Sequence, residues 1–429
     1  MTTATKTKPY APEMRVSYSS LTKHRECPQA WNYGYRRGLE RASIAPNFPA
    51  ELGNWWHFVR ACWAIERGAE LGTLKAVPRR LKTCEGGPSL VKEGPGSEVP
   101  VPAAERYLIE ASGQPVSVGE RFALILAQAW WTRQQPQQQA EWIEAIGESV
   151  PERLRRMNTL WHYQWDDENQ WCEPLGVEMK FTVPLFDPTD YDEEHECPEF
   201  TGVIDLVYWD RKRAMVVVRD YKSTKNMPNM EAADDLSNSQ LHLYGEMAND
   251  VIEAWGKGPV RGLSYDRIRS AMPKQPVITA AGALSKSITD YDLRTYLDWA
   301  KTDPTWGTEG EYVKTGRNAG KPKFGTYELD LAVAEKLASP AERAKWADRT
   351  LTPFNHNIAY AHLRAARLTQ YAMVDTLGAI SFDGSAPRNF SRFCGHCEFA
   401  GLCRAEMIGG ADGDYDLATY GLSERRVRA

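Results

Sequence analysis

The chain has 429 residues, 42% of them apolar, with 15 Trp, eight Cys and a formal net charge of −5. That length fits two or three domains, or one core with insertions. The charge excludes a uniformly basic packaging protein without excluding a local basic strip for nucleic acid. No apolar run approaches the roughly 20 residues of a membrane span. The opening MTTATKTKPYAPEMR lacks an apolar h-region, which predicts a cytoplasmic protein.

Residues 1–16 read as a leader and 17–75 as N-terminal helices. The first helix, SYSSLTKHRECPQAWNYGYRR, runs from Ser17 to Arg37, with Ser17 or Ser19 as its cap and Pro28 interrupting it. Its Lys23, His24, Arg25, Arg36 and Arg37 alternate with Tyr18, Trp31, Tyr33 and Tyr35. That pattern suits either a nucleic-acid strip or a helix with buried aromatics. A second helix, from about Gly53 to Arg67, carries His57, with the small Ala61 and Ala64 on nearby turns to let it approach a sheet. Residues 76–170 form a helical insertion. It holds a Gly/Pro-rich loop over 84–103, then helical patterns over 118–165 broken at Pro136 and Pro151.

The pattern changes over 171–270. Segments 175–186, 200–209 and 214–222 are β-branched and aromatic, as strands are, and precede a helix over 238–255 and a strand over 259–268. Residues 271–345 form a second insertion, 346–405 a long helix (353–376) and a cysteine cluster, and 406–429 a tail. The prediction is an α/β fold: a mixed central sheet flanked by helices, with helical insertions.

The most informative stretch is TGVIDLVYWDRKRAMVVVRDYKSTK, residues 201–225. A hairpin closed over Asp210–Arg213 pairs Trp209 with Ala214 and Asp205 with Val218. Side chains alternate along a strand, so Asp205, Asp220 and Lys222 then share a face. The two carboxylates become diagonal neighbours roughly 7–8 Å apart at Cα, near enough to reach one cation. Such a group is costly to bury among Val and Ile without a purpose. A hard cation such as Mg²⁺ or Mn²⁺ would activate a water there, with the lysine stabilising phosphate charge. Glu178, on the preceding strand, could add a third carboxylate, and Gln240 and Tyr244 share a face of the following helix.

In their order, His57, Glu178, Gly202-Val-Ile-Asp205, Asp220-Tyr-Lys222 and Gln240…Tyr244 resemble the PD-(D/E)XK nuclease superfamily. The likeness is to the branch of RecB and AddB nuclease domains and CRISPR-associated adaptation exonucleases, and to phage-type exonucleases of that branch. It implies a restriction-endonuclease-like sheet. His57, Asp205, Asp220 and the Tyr221 carbonyl would be metal ligands and Lys222 the catalytic lysine. Gln240 would orient the site, with Glu178 and Tyr244 beside it.

FCGHCEFAGLC spaces Cys394, Cys397 and Cys403 as metal-ligating thiolates are spaced, with His396 or a distant Cys as fourth ligand. Tetrahedral zinc fits that spacing. The resemblance implies instead a structural [4Fe–4S] cluster held by Cys27, Cys394, Cys397 and Cys403. Cys62, Cys84, Cys172 and Cys197 read as structural.

The expected activity is a metal-dependent exodeoxyribonuclease acting on DNA that is single-stranded or has free ends. A catalytically silent iron–sulfur DNA-binding module of a recombination complex is the alternative. Gly316-Arg-Asn-Ala-Gly320-Lys321-Pro322 is one residue short of a phosphate loop and has Pro where Ser or Thr binds Mg²⁺. Any ATP-driven strand opening would come from a helicase or recombinase partner.

Overall fold

In this computed structural model the described residues are 15–41, 48–77, 81–84, 87–90, 117–190, 197–227, 239–279, 282–287, 290–302, 304–306, 309–312, 314, 321, 325–383, 386–389, 392–409 and 415–424. Nearly all of the expected leader, most of the Gly/Pro-rich loop and the segment 316–320 lie outside them.

Six strands build the central sheet: β1 (Val16–Ser17), β2 (Cys172–Pro184), β3 (Glu199–Asp210), β4 (Met215–Thr224), β5 (Val260–Arg269) and β6 (Ala347–Pro353). β2 and β4 run antiparallel to β3, β5 parallel to β4, and β6 antiparallel to β5. The sheet is mixed, as expected. The main helices are α1 (Tyr18–Glu26), α2 (Phe48–Leu71), α3 (Val118–Thr132), α4 (Pro136–Ile146), α5 (Val150–Gln164), α6 (Glu168–Trp171), α7 (Ser239–Met247), α8 (Leu293–Ala300), α9 (Leu331–Ala338), α10 (His356–Asp383) and α11 (Ala400–Gly409). The parallel step from β4 to β5 needs a crossover, and α7 lies within it.

Local chemistry explains the breaks. Ser17 caps α1, and Ser20 closes a reciprocal capping box. The expected single helix of 17–37 is in fact three pieces. Pro28 cannot donate its nitrogen, so a new turn, Pro28–Trp31, starts there and passes into a π turn over Asn32–Arg36. Pro136 and Pro151 sit in the first turns of α4 and α5 for the same reason.

The sheet is covered on both faces except along the β2–β3 ribbon, where Lys180, Thr182 and Val203 are exposed. Against one, α2 to α5 bury Trp55, Trp56, Trp63, Trp130, Trp131, Trp142 and Trp161. Against the other, α1, α7 and α10 bury Leu21, Leu241, Leu243 and Leu363. β4 serves both: Val217 and Tyr221 join the Trp-rich core, Val216 and Val218 the other. The helices of 118–165 thus share a core with α2 and the sheet, whereas α8 and α9 gather around Tyr291, Tyr296 and Leu337. The basic–aromatic first segment is divided: His24, Trp31 and Tyr33 are buried, Arg25 Nε donates to Thr369 and Arg37 pairs with Glu406, while Tyr35 and Arg36 are exposed.

The β3–β4 register differs by two residues from the predicted one. Trp209 pairs with Val216 and Asp210 with Met215. The reason is local: the Asp210 carboxylate accepts from the Arg213 backbone N at 3.0 Å and from its guanidinium at 2.9 Å. This closes a four-residue turn one position further along, over 211–214, and places Ala214 at φ +50°. An even slip keeps every side chain on its face, so the shared face of Asp205, Asp220 and Lys222 survives.

Candidate active site

The β3–β4 ladder stops at Leu206 with Arg219. β1 takes up the same edge of β3 only at Phe200 and Thr201. Asp205 lies in the fork between them. The next pair in the ladder would be Asp205 with Asp220, two like charges directly opposed, which disfavours pairing. The Asp205 carboxylate turns instead to the freed backbone, accepting from Tyr221 N at 2.7 Å. The same oxygen lies 3.3 Å from His57 Nδ1 of α2. Gly53, one turn before His57, sets that approach: a Cβ there would come within 2.9 Å of Ser223 Oγ on β4. Ala61 and Ala64, further along α2, are buried in the core it shares with the sheet.

Glu178 completes the group. The register on either side, Val177 with Leu206 and Met179 with Ile204, sets Glu178 opposite Asp205. Its φ is +46°, a conformation that costs a non-glycine residue about 1–3 kcal/mol and clusters at functional sites. His57, Glu178 and Asp205 each bring a ligand atom within 4.8 Å of the others. Asp220 is held beside them by Lys222, whose Nζ is 2.7 Å from Oδ2.

Electrostatics mark this group as short of positive charge. Burial and the Asp205 charge push Glu178 up to about 8. Burial and Asp205 likewise raise Asp220 to about 6, against the pull of Lys222. Burial alone would lower His57, but Asp205 overrides it and raises it to about 9. Burial would raise Asp205, yet His57 and the Tyr221 N–H hold it below its ordinary value. Two carboxylates and an imidazole form a hard O/N donor set. Their crowding is what a divalent cation relieves, so the residues fit such an ion.

The remaining expected residues lie close by. Gln240 bonds the Tyr244 hydroxyl, and Tyr244 is sensitive to the Asp220 and Asp205 charges. Tyr244 packs edge-on against Phe181. Gly202 makes room, since a Cβ there would meet Phe181 at 2.6 Å and Tyr244 at 3.1 Å.

Sequence reasoning missed what lies beneath. Arg219, next to Asp220, projects from the other face of β4 and pairs with Glu168 at 2.7 Å and Asp266 at 3.0 Å. Arg60, three residues beyond His57, pairs with Glu120 and Glu168, both at 2.8 Å. Arg349 adds contacts to Glu168 and Asp266. The signal available was a charged residue directly after the apolar run Val216–Val218, on a strand buried on both faces.

The cysteine expectation is corrected. Cys27, Cys394, Cys397 and Cys403 are free thiols bordering one cavity of about 280 Å³. Among the described residues, the one group of three or more ligand atoms within 4.8 Å is His57, Glu178 and Asp205, and no sulfur enters such a group. Cys394 Sγ is directed to Asn389 O at 3.7 Å, and Cys403 Sγ accepts from Arg388. Cys27, Cys397 and Cys403 pack around Tyr33, Phe399 and Leu402, and burial pushes the Cys397 thiol up. The metal centre supported by the geometry is the His/Glu/Asp triad, not a four-cysteine [4Fe–4S] or zinc site. The resemblance accordingly holds for the superfamily, without the four-cysteine iron–sulfur cluster.

No helix among the described residues is long and apolar enough to cross a membrane. No curated protein matches the chain. The family model of the PD-(D/E)XK nuclease superfamily matches residues 103–404, well over half of the chain. Glu178, Asp205, Asp220, Lys222 and Gln240 lie within that stretch, and His57 lies before it. With a mixed sheet and a candidate metal triad of nuclease type at the fork of β3 and β4, the chain belongs to the PD-(D/E)XK nuclease superfamily.

Proposed function

We propose that this protein is a metal-dependent exodeoxyribonuclease hydrolysing phosphodiester bonds at DNA ends. The observation that carries this reading is the convergence of His57, Glu178 and Asp205 beside the Asp220–Lys222 pair. His57, Glu178 and Asp205 would hold Mg²⁺ or Mn²⁺, with Asp220 and the Tyr221 carbonyl at the margin of the site. A bound cation supplies Lewis-acid charge to the phosphate and lowers the pKa of a water. Lys222, half exposed and anchored by Asp220, brings its ammonium to the charge that grows on the phosphate oxygens. Gln240 steadies Tyr244, and Tyr244 walls the acidic group toward α7. The ends-only reading favours linear over circular DNA and leaves strand opening to a helicase or recombinase partner.

The test is hydrolysis of end-labelled linear DNA and of covalently closed single-stranded circles, with Mn²⁺ and with chelator. Metal-dependent loss of the linear substrate, intact circles, and loss of activity in Lys222→Ala are expected. Cutting of circles would replace the exonuclease with an endonuclease. Inertness toward every DNA offered would remove the reading.

A further inference from the structure

The solvent face of the β2–β3 ribbon continues past the acidic group. On β2, Glu178, Lys180 and Thr182 face outward while Met179 and Phe181 are buried between them. On β3, Thr201, Val203 and Asp205 face outward between buried Phe200, Gly202 and Ile204. The register pairs Lys180 with Val203 and Thr182 with Thr201. The ribbon therefore presents three rungs: Glu178 with Asp205, Lys180 with Val203, and Thr182 with Thr201.

Two strand residues span about 6.6 Å, on the scale of the step between consecutive phosphates of an extended polynucleotide. Lys180 is exposed and is the one cation of the three rungs. Val203 is 45% exposed beside it, in the stretch of β3 that neither β1 nor β4 covers. The third rung cannot grip a phosphate. Thr182 Oγ1 donates to Thr201 Oγ1 at 3.3 Å, and Thr201 Oγ1 donates to the Phe181 carbonyl at 3.1 Å. Both hydroxyl protons are thus committed, leaving only lone pairs toward solvent.

We propose that the second rung seats the phosphate adjoining the scissile one, with Lys180 ion-pairing to it and Val203 packing against the sugar between. This rests on the nuclease reading above. It predicts one extra phosphate contact on this side of the metal group, not two.

Initial rates on a single-stranded oligonucleotide with Mn²⁺, over a series of salt concentrations, test it. The variants are Lys180→Ala, Lys180→Arg and, as a surface control on α8's C-terminal side, Lys301→Ala. Bis(p-nitrophenyl) phosphate, a diester with no neighbouring phosphate, is the companion substrate. Lys180→Ala is expected to raise KM for the oligonucleotide by about three- to tenfold. It should flatten the slope of log(kcat/KM) against log[salt] by about 0.7. Lys180→Arg should restore both, and the loss on the small diester should be less than on the oligonucleotide. Equal losses on the two substrates, or a Lys180→Ala variant that matches Lys301→Ala, would overturn the inference while the nuclease reading stands. A wild-type protein inert on both substrates would overturn the two together.

Discussion

Two clusters of ionisable side chains project from opposite faces of β4, through Arg219 and Asp220. On the Trp-rich side, Glu120, Glu168 and Asp266 meet Arg60, Arg219 and Arg349 at ion-pair distance. At the fork, among the described residues, Glu178, Asp205 and Asp220 share only His57 and Lys222. The scaffold cluster is closed to water, whereas the fork opens to it through His57 and the half-exposed Lys222. The sign of the shifts separates them further. Against its burial, three guanidinium groups hold Glu168 far below the usual carboxylate range, whereas Glu178 and Asp220 are driven upward by burial and by Asp205. Matched charge belongs to the scaffold. Acids left short of positive charge mark the place where a cation belongs.

The strongest way to break this comparison is to remove a charge from the fork. Asp205→Asn keeps an oxygen to accept the Tyr221 N–H but removes the charge shared with His57 and Glu178. DNA hydrolysis is expected to fall by roughly a thousandfold or more, while the far-ultraviolet circular dichroism stays that of the wild type. Loss of fold with loss of activity would class Asp205 with the scaffold. On the other face, Glu168→Gln should act in reverse. It leaves Arg219 and Arg349 to share Asp266 alone and should cost about 3–5 kcal/mol of stability, read as a lower urea midpoint. Retention of full stability would show that the guanidinium groups find other partners.

How much of this was legible in the sequence follows from the range of the interactions. The strands of 171–270, their alternation, and Asp205, Asp220 and Lys222 on one face depend on neighbours a few residues apart, and a two-residue slip left that face intact. The register itself depended on the Asp210 side chain closing its own turn, which a count of loop residues does not reveal. The place of Glu178 opposite Asp205 required a left-handed residue inside a strand, for which glutamate carries no signal. The scaffold cluster joins residues from Arg60 to Arg349, each unremarkable alone. The cysteines mark the opposite limit: spacing advertises ligands, but only the fold decides whether their sulfurs converge.

Metal addition sharpens the comparison at intermediate size. A cation that binds the folded fork and not the unfolded chain stabilises by about 2.7 kcal/mol at a hundredfold excess over its Kd. Mn²⁺ should therefore raise the Tm of the wild type and of Glu168→Gln alike, and leave Asp205→Asn nearly unmoved. Equal shifts in wild type and Asp205→Asn would locate the binding elsewhere.

The smallest effect separates the clusters by the direction of their pH dependence, in metal-free protein. Glu168 sits below its ordinary 4.5 when folded, so the unfolded chain binds the extra proton. Its contribution is present above that value and is lost as pH falls through the acid range. Glu178 sits above 4.5, at about 8, and His57 above 6.5, at about 9. Here the folded state binds more protons, so stability falls as pH rises from about 4.5 to about 9. Because these neighbours share protons, the fall should total only about 1–2 kcal/mol. Urea midpoints measured with chelator from pH 4 to 9 should show both arms. Glu178→Gln should flatten the alkaline arm and spare the acid one, and Mn²⁺ should do the same to the wild type. An alkaline arm that persists in Glu178→Gln would mean that the crowding at the fork is carried by His57 and Asp205 alone, and Glu178 would then belong with the scaffold rather than with the cation.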